Sequence, residues 1–270
     1  MKLSIITINY NNAAGLKKTL DSVALQNCTD FEHIIVDGAS TDDSVDIIRA
    51  YSQLLITNRY KITWLSEPDT GIYNAMNKGI KIASGDYLLF LNSGDVFVNT
   101  DVVQQFYDTP ITVDIATGIE QESNGRLIYP KQEDELSYSY FYDDTLMHQS
   151  TFIRRDAFDR FGMYNERYRI VSDWEWFFKA LMVYNASYQT LDFIVSIFDG
   201  EGISNSHKAI RLHNNEREQV RQSILPRGRV DYNELKRLKN VEKEFIFLKN
   251  GKMGWIVRLL LKLKSIKTNK

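Results

Sequence analysis

Residues 71–95 read GIYNAMNKGIKIASGDYLLFLNSGD, and three signals follow one another in that stretch. Ile72, Ala75, Met76, Gly79, Ile80 and Ala83 recur at helical spacing. YLLFL (87–91) is an unbroken apolar run of strand length, as a strand buried on both faces requires. It surfaces in Asn92-Ser93-Gly94-Asp95. Those are turn residues, but a carboxylate at the end of a parallel strand also faces whatever binds over the sheet. A helix running into such a strand is one unit of an α/β sheet.

The same alternation precedes it. LSIITIN (3–9) is β-branched, and Leu16, Leu20, Val23 and Ala24 give residues 13–25 a helical period. HIIVD (33–37) follows, then a helix with Thr41 or Asp42 as N-cap and Val45, Ile47 and Ile48 inward, then KITWL (61–65). This predicts an α/β fold with a parallel sheet covered on both faces and its β-to-helix turns on one edge. Beyond Asp95 the sequence predicts helices over 101–108 and 173–184, and strands over 114–119, 150–153 and 193–199. Residues 126–145 carry no assignable period, and helices are expected from Ser206 onward. No Pro/Gly-rich linker interrupts 1–205, which reads as one domain with a helical extension over 206–270.

Cys28 is the only cysteine, so no intrachain disulfide can form. Residues 1–15 hold too short an apolar stretch for a signal peptide, and no apolar run reaches the length of about 18 that spans a bilayer. A cytoplasmic protein is expected. The net charge is −2, yet residues 251–270 carry Lys252, Arg258, Lys262, Lys264, Lys267 and Lys270 and no acid, leaving −8 on residues 1–250. Trp255, Ile256, Leu259, Leu260, Leu263 and Ile266 recur there at helical spacing. A basic amphipathic helix of this kind is expected to lie on an anionic membrane surface, here the inner face of the cell membrane.

Each early strand ends in polar residues: Thr7 to Asn12, Asp37 to Asp42, Ser66 to Gly71, and Asn92 to Asp95. Asp42 reads as a helix cap. Asp37, Asp69 and Asp95 share one rim, and gathered like charges need a cation or NH donors to offset them. No G-x-G-x-x-G follows the first strand and no P-loop is present. Asp37 can accept from the NH of a base, and Tyr10 can stack on its ring. Asp95 suits Mg²⁺ or Mn²⁺, which bind through few carboxylates and phosphate oxygens. A nucleoside diphosphate held through a cation fits these residue types, and no nucleic-acid partner is expected.

SIITINYNN, IIVDGASTDDS, SEPDTGIYNAMNKGIKIASGDYLLFLNSGD, MHQSTFIRRDAF and FGMYNERYRIVSDWEWF occur in this order. Together they resemble the family 2 glycosyltransferases of GT-A fold, most closely the bacterial surface-polysaccharide members, over residues 3 to about 205. The resemblance implies a Rossmann-like mixed, mostly parallel sheet. It also implies that Thr7, Asn9 and Tyr10 line the nucleotide pocket and that Asp37 reads the base. Asp69, Gly71, Asn77 and Lys78 would flank the nucleotide and donor sugar. Asn92, Ser93, Gly94 and Asp95 match the D-x-D region. There Asn92 and Gly94 stand where many members have aspartates, so Asp95 alone keeps the metal carboxylate. His148 and His207 are candidates for a further ligand, each more readily a substrate contact or surface residue. His148-Gln149 matches a position near the acceptor, Asp173 the catalytic base, and Gly202-Ile203-Ser204 a late loop over the site. Glu175, two residues past Asp173, lies on another helix face.

The implied activity is metal-dependent, inverting hexosyl or N-acetylhexosaminyl transfer. The donor is a nucleotide-diphosphate sugar, UDP being favoured, and the acceptor a glycan, lipid-linked in surface polysaccharide assembly. Two alternatives stand beside it. One is a non-catalytic nucleotide-sugar-binding protein. The other is a sugar-phosphate nucleotidylyltransferase, which calls for a glycine-rich basic loop after the first strand where NYNNAAG has no basic residue.

Overall fold

The structure is a computed structural model that describes residues 2–54, 60–198, 207–225 and 228–250. Its elements run β1 (Leu3–Asn9), α1 (Ala13–Ala24), β2 (Phe31–Asp37), α2 (Ser44–Leu54), β3 (Lys61–Ser66), α3 (Ile72–Ile82), β4 (Tyr87–Phe90), β5 (Val96–Phe97) and α4 (Val102–Asp108). Then come β6 (Ile115–Glu122), β7 (Leu127–Ile128), α5 (Tyr138–Asp143), β8 (Thr151–Arg154), α6 (Arg155–Phe161), α7 (Ser172–Met182), β9 (Tyr188–Phe198), α8 (His207–Ile224) and α9 (Gly228–Asn250). Single 3₁₀ turns cover Glu133–Glu135 and His148–Ser150.

The strands form one sheet in the order β3-β2-β1-β4-β8-β6-β9-β5, with β7 on β6. The first four are parallel. Antiparallel β8 then separates β4 from β6, and β9 returns parallel to β6. The chain leaves β1 toward β2 and β3, then comes back to lay β4 on its other side. The gap between β1 and β4 is therefore the switch point at which ligands bind over such sheets.

Strand parity decides what covers each face. Leu3 and Ile5 of β1 pack with Leu89 and Leu91 and with Val102, Val103 and Phe106 of α4. Ile35 of β2 meets Leu16 and Leu20 of α1 and Ile48 and Tyr51 of α2. On the opposite face Ile6 meets α3, and Phe90 meets a ring cluster of Phe158, Tyr164 and Trp176 carried by α6, α7 and the loop between them. Helices on both faces follow from strands apolar on both faces.

β9 begins at Tyr188, five residues before the expected strand, because Gln189, Thr190 and Asp192 break the apolar run. The unassigned 126–145 stretch holds β7, a 3₁₀ turn and α5. The chain divides into two compact units, Met1–Glu218 and Gln219–Lys270. The expected boundary at 205, the Gly202-Ile203-Ser204 loop and the basic segment 251–270 lie outside the described residues. Among the described residues no helix is long and apolar enough to cross a membrane.

Gly79 shows how closely α3 sits on β1, since a Cβ there would stand 2.5 Å from Ile6 Cγ2. Alanine gains about 1 kcal/mol of helix preference over glycine, but overpacking costs about 1–3 kcal/mol. Gly79→Ala is therefore expected to destabilise by up to about 2 kcal/mol, seen as a lower urea midpoint at constant slope. An unchanged midpoint would refute this packing.

Candidate active site

Register brings Asn9, Asp37 and Ser66 into one row at the carboxyl ends of β1, β2 and β3. Asp37 is fully buried. Its Oδ1 accepts from Asn9 Nδ2 at 2.8 Å and from Ser40 Oγ at 2.6 Å. Its Oδ2 accepts from the Ser40 N–H at 2.9 Å and from Ser66 Oγ at 2.7 Å. Burial pushes this carboxyl up, but the hydrogen bonds from Ser40, Ser66 and Asn9 outweigh it and hold it below the usual range.

Those donors fill the roughly four lone-pair sites of a carboxylate. In this arrangement it orients Asn9, Ser40 and Ser66, and direct base contact needs one of those donors to turn away. Thr7 is fully buried, and its hydroxyl donates to Leu91 O at 2.8 Å and lies 3.0 Å from His33 Nε2, bracing the strands beneath this edge. Asn77 likewise faces inward from α3, donating to Tyr164 O at 2.9 Å and Glu166 Oε1 at 2.8 Å.

Tyr10 remains on the rim, 66% exposed. A Cβ on Gly38 would stand 2.5 Å from Asp69 Oδ2 and 3.1 Å from Tyr10 Cδ2, so the bare glycine lets both side chains close over the end of β2. Asp69 Oδ1 accepts from the Gly71 N–H at 2.9 Å. Lys78 Nζ donates to Pro68 O at 2.9 Å and pairs with Glu67 at 2.8 Å, pinning this loop to α3.

The turn after β4 is held against α1. Gly94, at φ 113°, donates its N–H to Thr19 Oγ1 at 3.0 Å, and that hydroxyl lies 2.8 Å from Asp95 O. Asp95 is buried there, at 6% exposure. Ser93 Oγ donates to Asn9 Oδ1 at 2.8 Å, joining the turn to the Asp37 network. Asn92 Nδ2 lies 3.0 Å from His148 Nε2. The other ring nitrogen, Nδ1, is 3.3 Å from Asp173 Oδ2, and Tyr73 donates its hydroxyl to Asp173 Oδ1 at 2.7 Å. Gln149 is buried beside His148 in sequence, at 5% exposure.

Burial raises the Asp173 carboxyl, but His148 and Tyr73 outweigh it and hold it below the usual range. Burial lowers His148, but Asp173, with Asp95 and Glu120 behind it, holds it above the usual range. Tyr73 was not expected from sequence; its spacing of four from Asn77 puts both on one helix face. Two more residues were missed. Glu120 of β6 is 2% exposed and feels both His148 and Asp95. Glu216 of α8 accepts the N–H groups of Arg169 and Ile170 at 2.9 and 3.0 Å, fixing the loop that leads into α7. Glu175 turns instead to Lys179 on its own helix. Nothing is described of the His207 side chain.

A polar edge at the switch point of a mixed sheet with helices on both faces is the architecture of a GT-A glycosyltransferase. The S. aureus TarS structure in complex with UDP-GlcNAc matches with a TM-score of 0.61 at 23% identity, over 78% of this chain and 64% of that one. The mannosyltransferase PcManGT from Pyrobaculum calidifontis, in complex with GDP-Man and Mn²⁺, matches with a TM-score of 0.57 at 13% identity, over 97% of this chain and 79% of that one. Residues 4–168 match the model of Glycosyl transferase family 2, and the chain belongs to that family. A PGL/p-HBAD biosynthesis glycosyltransferase of Mycobacterium bovis is 36% identical over 64% of this chain; the match spans 66% of its own length, just under two thirds.

The His148–Asp173 pair gives a signed pH dependence. Asp173 is lowered, so its contribution is present above an unfolded pKa of about 4 and is lost as pH falls through the lowered value. His148 is raised, so its contribution is complete below about 6.5 and is lost as pH rises through the elevated value. Urea titrations of wild type and His148→Gln are expected to differ most between about pH 4 and 6.5, and less on going alkaline. A difference that stays flat across pH would contradict the pair.

Proposed function

We propose that the protein transfers a sugar, with inversion, from a nucleotide-diphosphate sugar to a hydroxyl of a glycan acceptor. The observation that carries this is one hydrogen-bonded edge, with the Asn9–Asp37–Ser66 row meeting Asn92, His148 and Asp173 through the turn that presents Asp95. Tyr10 and the row take the nucleotide, UDP being favoured. Asp69, Gly71 and Lys78 shape the loop beside the donor sugar. Asp173, 17% exposed at its side chain and held in its charged form, takes the proton of the attacking hydroxyl.

The residues fit a divalent cation. Asp95 is a hard oxygen donor, and Asn92 Oδ1 and Glu120 Oε2 are buried acceptor atoms with no hydrogen-bond partner. Mg²⁺ and Mn²⁺ need few protein carboxylates, since phosphate and water complete their shell. Once bound, the cation would offset charge on the departing diphosphate. A lipid-linked acceptor, a glycan intermediate on the inner face of the membrane, fits the six cations of residues 251–270.

Calorimetric titration with UDP, GDP and dTDP, each with Mn²⁺ and again with chelator, tests the donor side. One nucleotide is expected to bind in a metal-dependent way, and Asp173→Asn to keep that binding while kcat falls about 10²–10⁴-fold. A folded protein that binds none of the three would sink the transferase reading. For the acceptor side, deleting 251–270 is expected to abolish binding to vesicles containing anionic lipid, measured by flotation; undiminished flotation would remove the membrane from the account.

A further inference from the structure

Buried Asp37 and Glu120 and half-buried Asp173 differ in their donors. Asp37 accepts from Asn9, Ser40 and Ser66, and Asp173 is approached by Tyr73 and His148; both sit below the ordinary range. Glu120 is 2% exposed, and its Oε2 is buried with no hydrogen-bond partner. Burial pushes it up to about 7, with His148 opposing and Asp95 reinforcing. A carboxylate without donors is costly to bury, and a glutamine of the same shape would cost the fold less. Packing therefore gives no reason for a carboxylate at this position.

Its surroundings suggest one. Register carries Glu120 to Ser196 of β9 and Ser196 to Phe97 of β5, two residues after Asp95. His148 feels Asp173, Asp95 and Glu120 together. With Asp95 buried at 6% exposure and Asp173 half-buried, an acidic side chain at 120 adds to carboxylates already gathered there. Asn92 Oδ1 is orphaned in the same place, although turning the amide over would let a protonated His148 Nε2 donate to it. No such turn satisfies Glu120.

We propose that Glu120 is the second carboxylate of the divalent-cation site, acting with Asp95 where Asn92 and Gly94 leave the D-x-D region short of charge. This rests on the reading of Asp95 as a cation ligand. A cation is favoured over a sugar hydroxyl because a hydroxyl would satisfy Oε2 without offsetting the gathered charge.

The test is a Mn²⁺ titration of the full chain, alone and with UDP or GDP, following free Mn²⁺ by electron paramagnetic resonance. Glu120→Gln is expected to weaken Mn²⁺ binding about 10–100-fold, and Mn²⁺ to raise the Tm of wild type but not of this variant. Glu122→Gln, on the same strand but paired with Arg126 at 3.5 Å, is expected to bind Mn²⁺ as wild type does. Without metal, Glu120→Gln should melt at or above wild type, since the buried charge is gone. If it does not fold, Glu120→Asp decides, its shortened carboxylate weakening Mn²⁺ binding. Wild-type affinity in the folded Glu120 variant, with Asp95→Asn impaired, would overturn the proposal, leave the cation at Asp95 and point to a sugar hydroxyl. A wild type that binds no Mn²⁺ would instead remove the cation reading, and this proposal with it.

Discussion

Asp37 is a full charge buried among three strands, and its hydrogen bonds dictate what can surround it. An unpaired buried charge costs several kcal/mol, so Asn9, Ser40 and Ser66 must each present a donor. That requirement fixes the register of β1, β2 and β3, because a slip of one residue would turn Asn9 or Ser66 to the other face of the sheet. It also shapes the loop after β2. Ser40 reaches back to both carboxylate oxygens only because the chain doubles on itself through Ala39, a non-glycine residue at φ 60°. Local strain of that kind persists where surrounding bonds over-determine it.

The turn between β4 and β5 connects this network to the second one. Ser93 donates to Asn9 on one side, and Asn92 meets His148 on the other, so adjacent residues divide the two halves of the edge. The choice of an amide at position 92 then has an electrostatic reason. Asp95, Glu120 and Asp173 already act on His148. A further carboxylate at 92 would add like charge to a partly dry cluster, whereas an amide serves the imidazole by donating or, turned over, accepting. Departure from the common acidic pattern is thus consistent with the imidazole that β8 brings alongside.

The first hundred residues were legible because each strand is locally apolar and each helix locally periodic. Parallel pairing of β1 to β4 follows from that alternation alone. The antiparallel entry of β8 between β4 and β6 has no such local sign, as it depends on pairings more than thirty residues apart with β6 and more than sixty apart with β4. The same limit hid Glu120, which lies just past the strand expected over 114–119, and Glu216, which falls among the helices expected from Ser206 onward with no motif around it. A motif position gives a residue's type and level along an element but not its partners: the bonds from Thr7 to Leu91 and from Asn77 to Tyr164 and Glu166 each span more than eighty residues and have no local sign.

The second network also bears on how strong a base the proposed transfer can use. Tyr73 and His148 stabilise the charged form of Asp173, which keeps it ionised at neutral pH but lowers its appetite for a proton. A catalytic base works best with a pKa near the operating pH, so these partners look counterproductive if the hydroxyl must be deprotonated first. They are not if proton transfer accompanies attack, because a hydroxyl oxygen forming a bond to the anomeric carbon becomes strongly acidic. A weak, fully ionised and rigidly aimed carboxylate then suffices. Aim is what the structure invests in: Tyr73 fixes one oxygen of Asp173 from α3, His148 approaches the other from the 3₁₀ turn before β8, and Glu216 holds the loop that sets the start of α7.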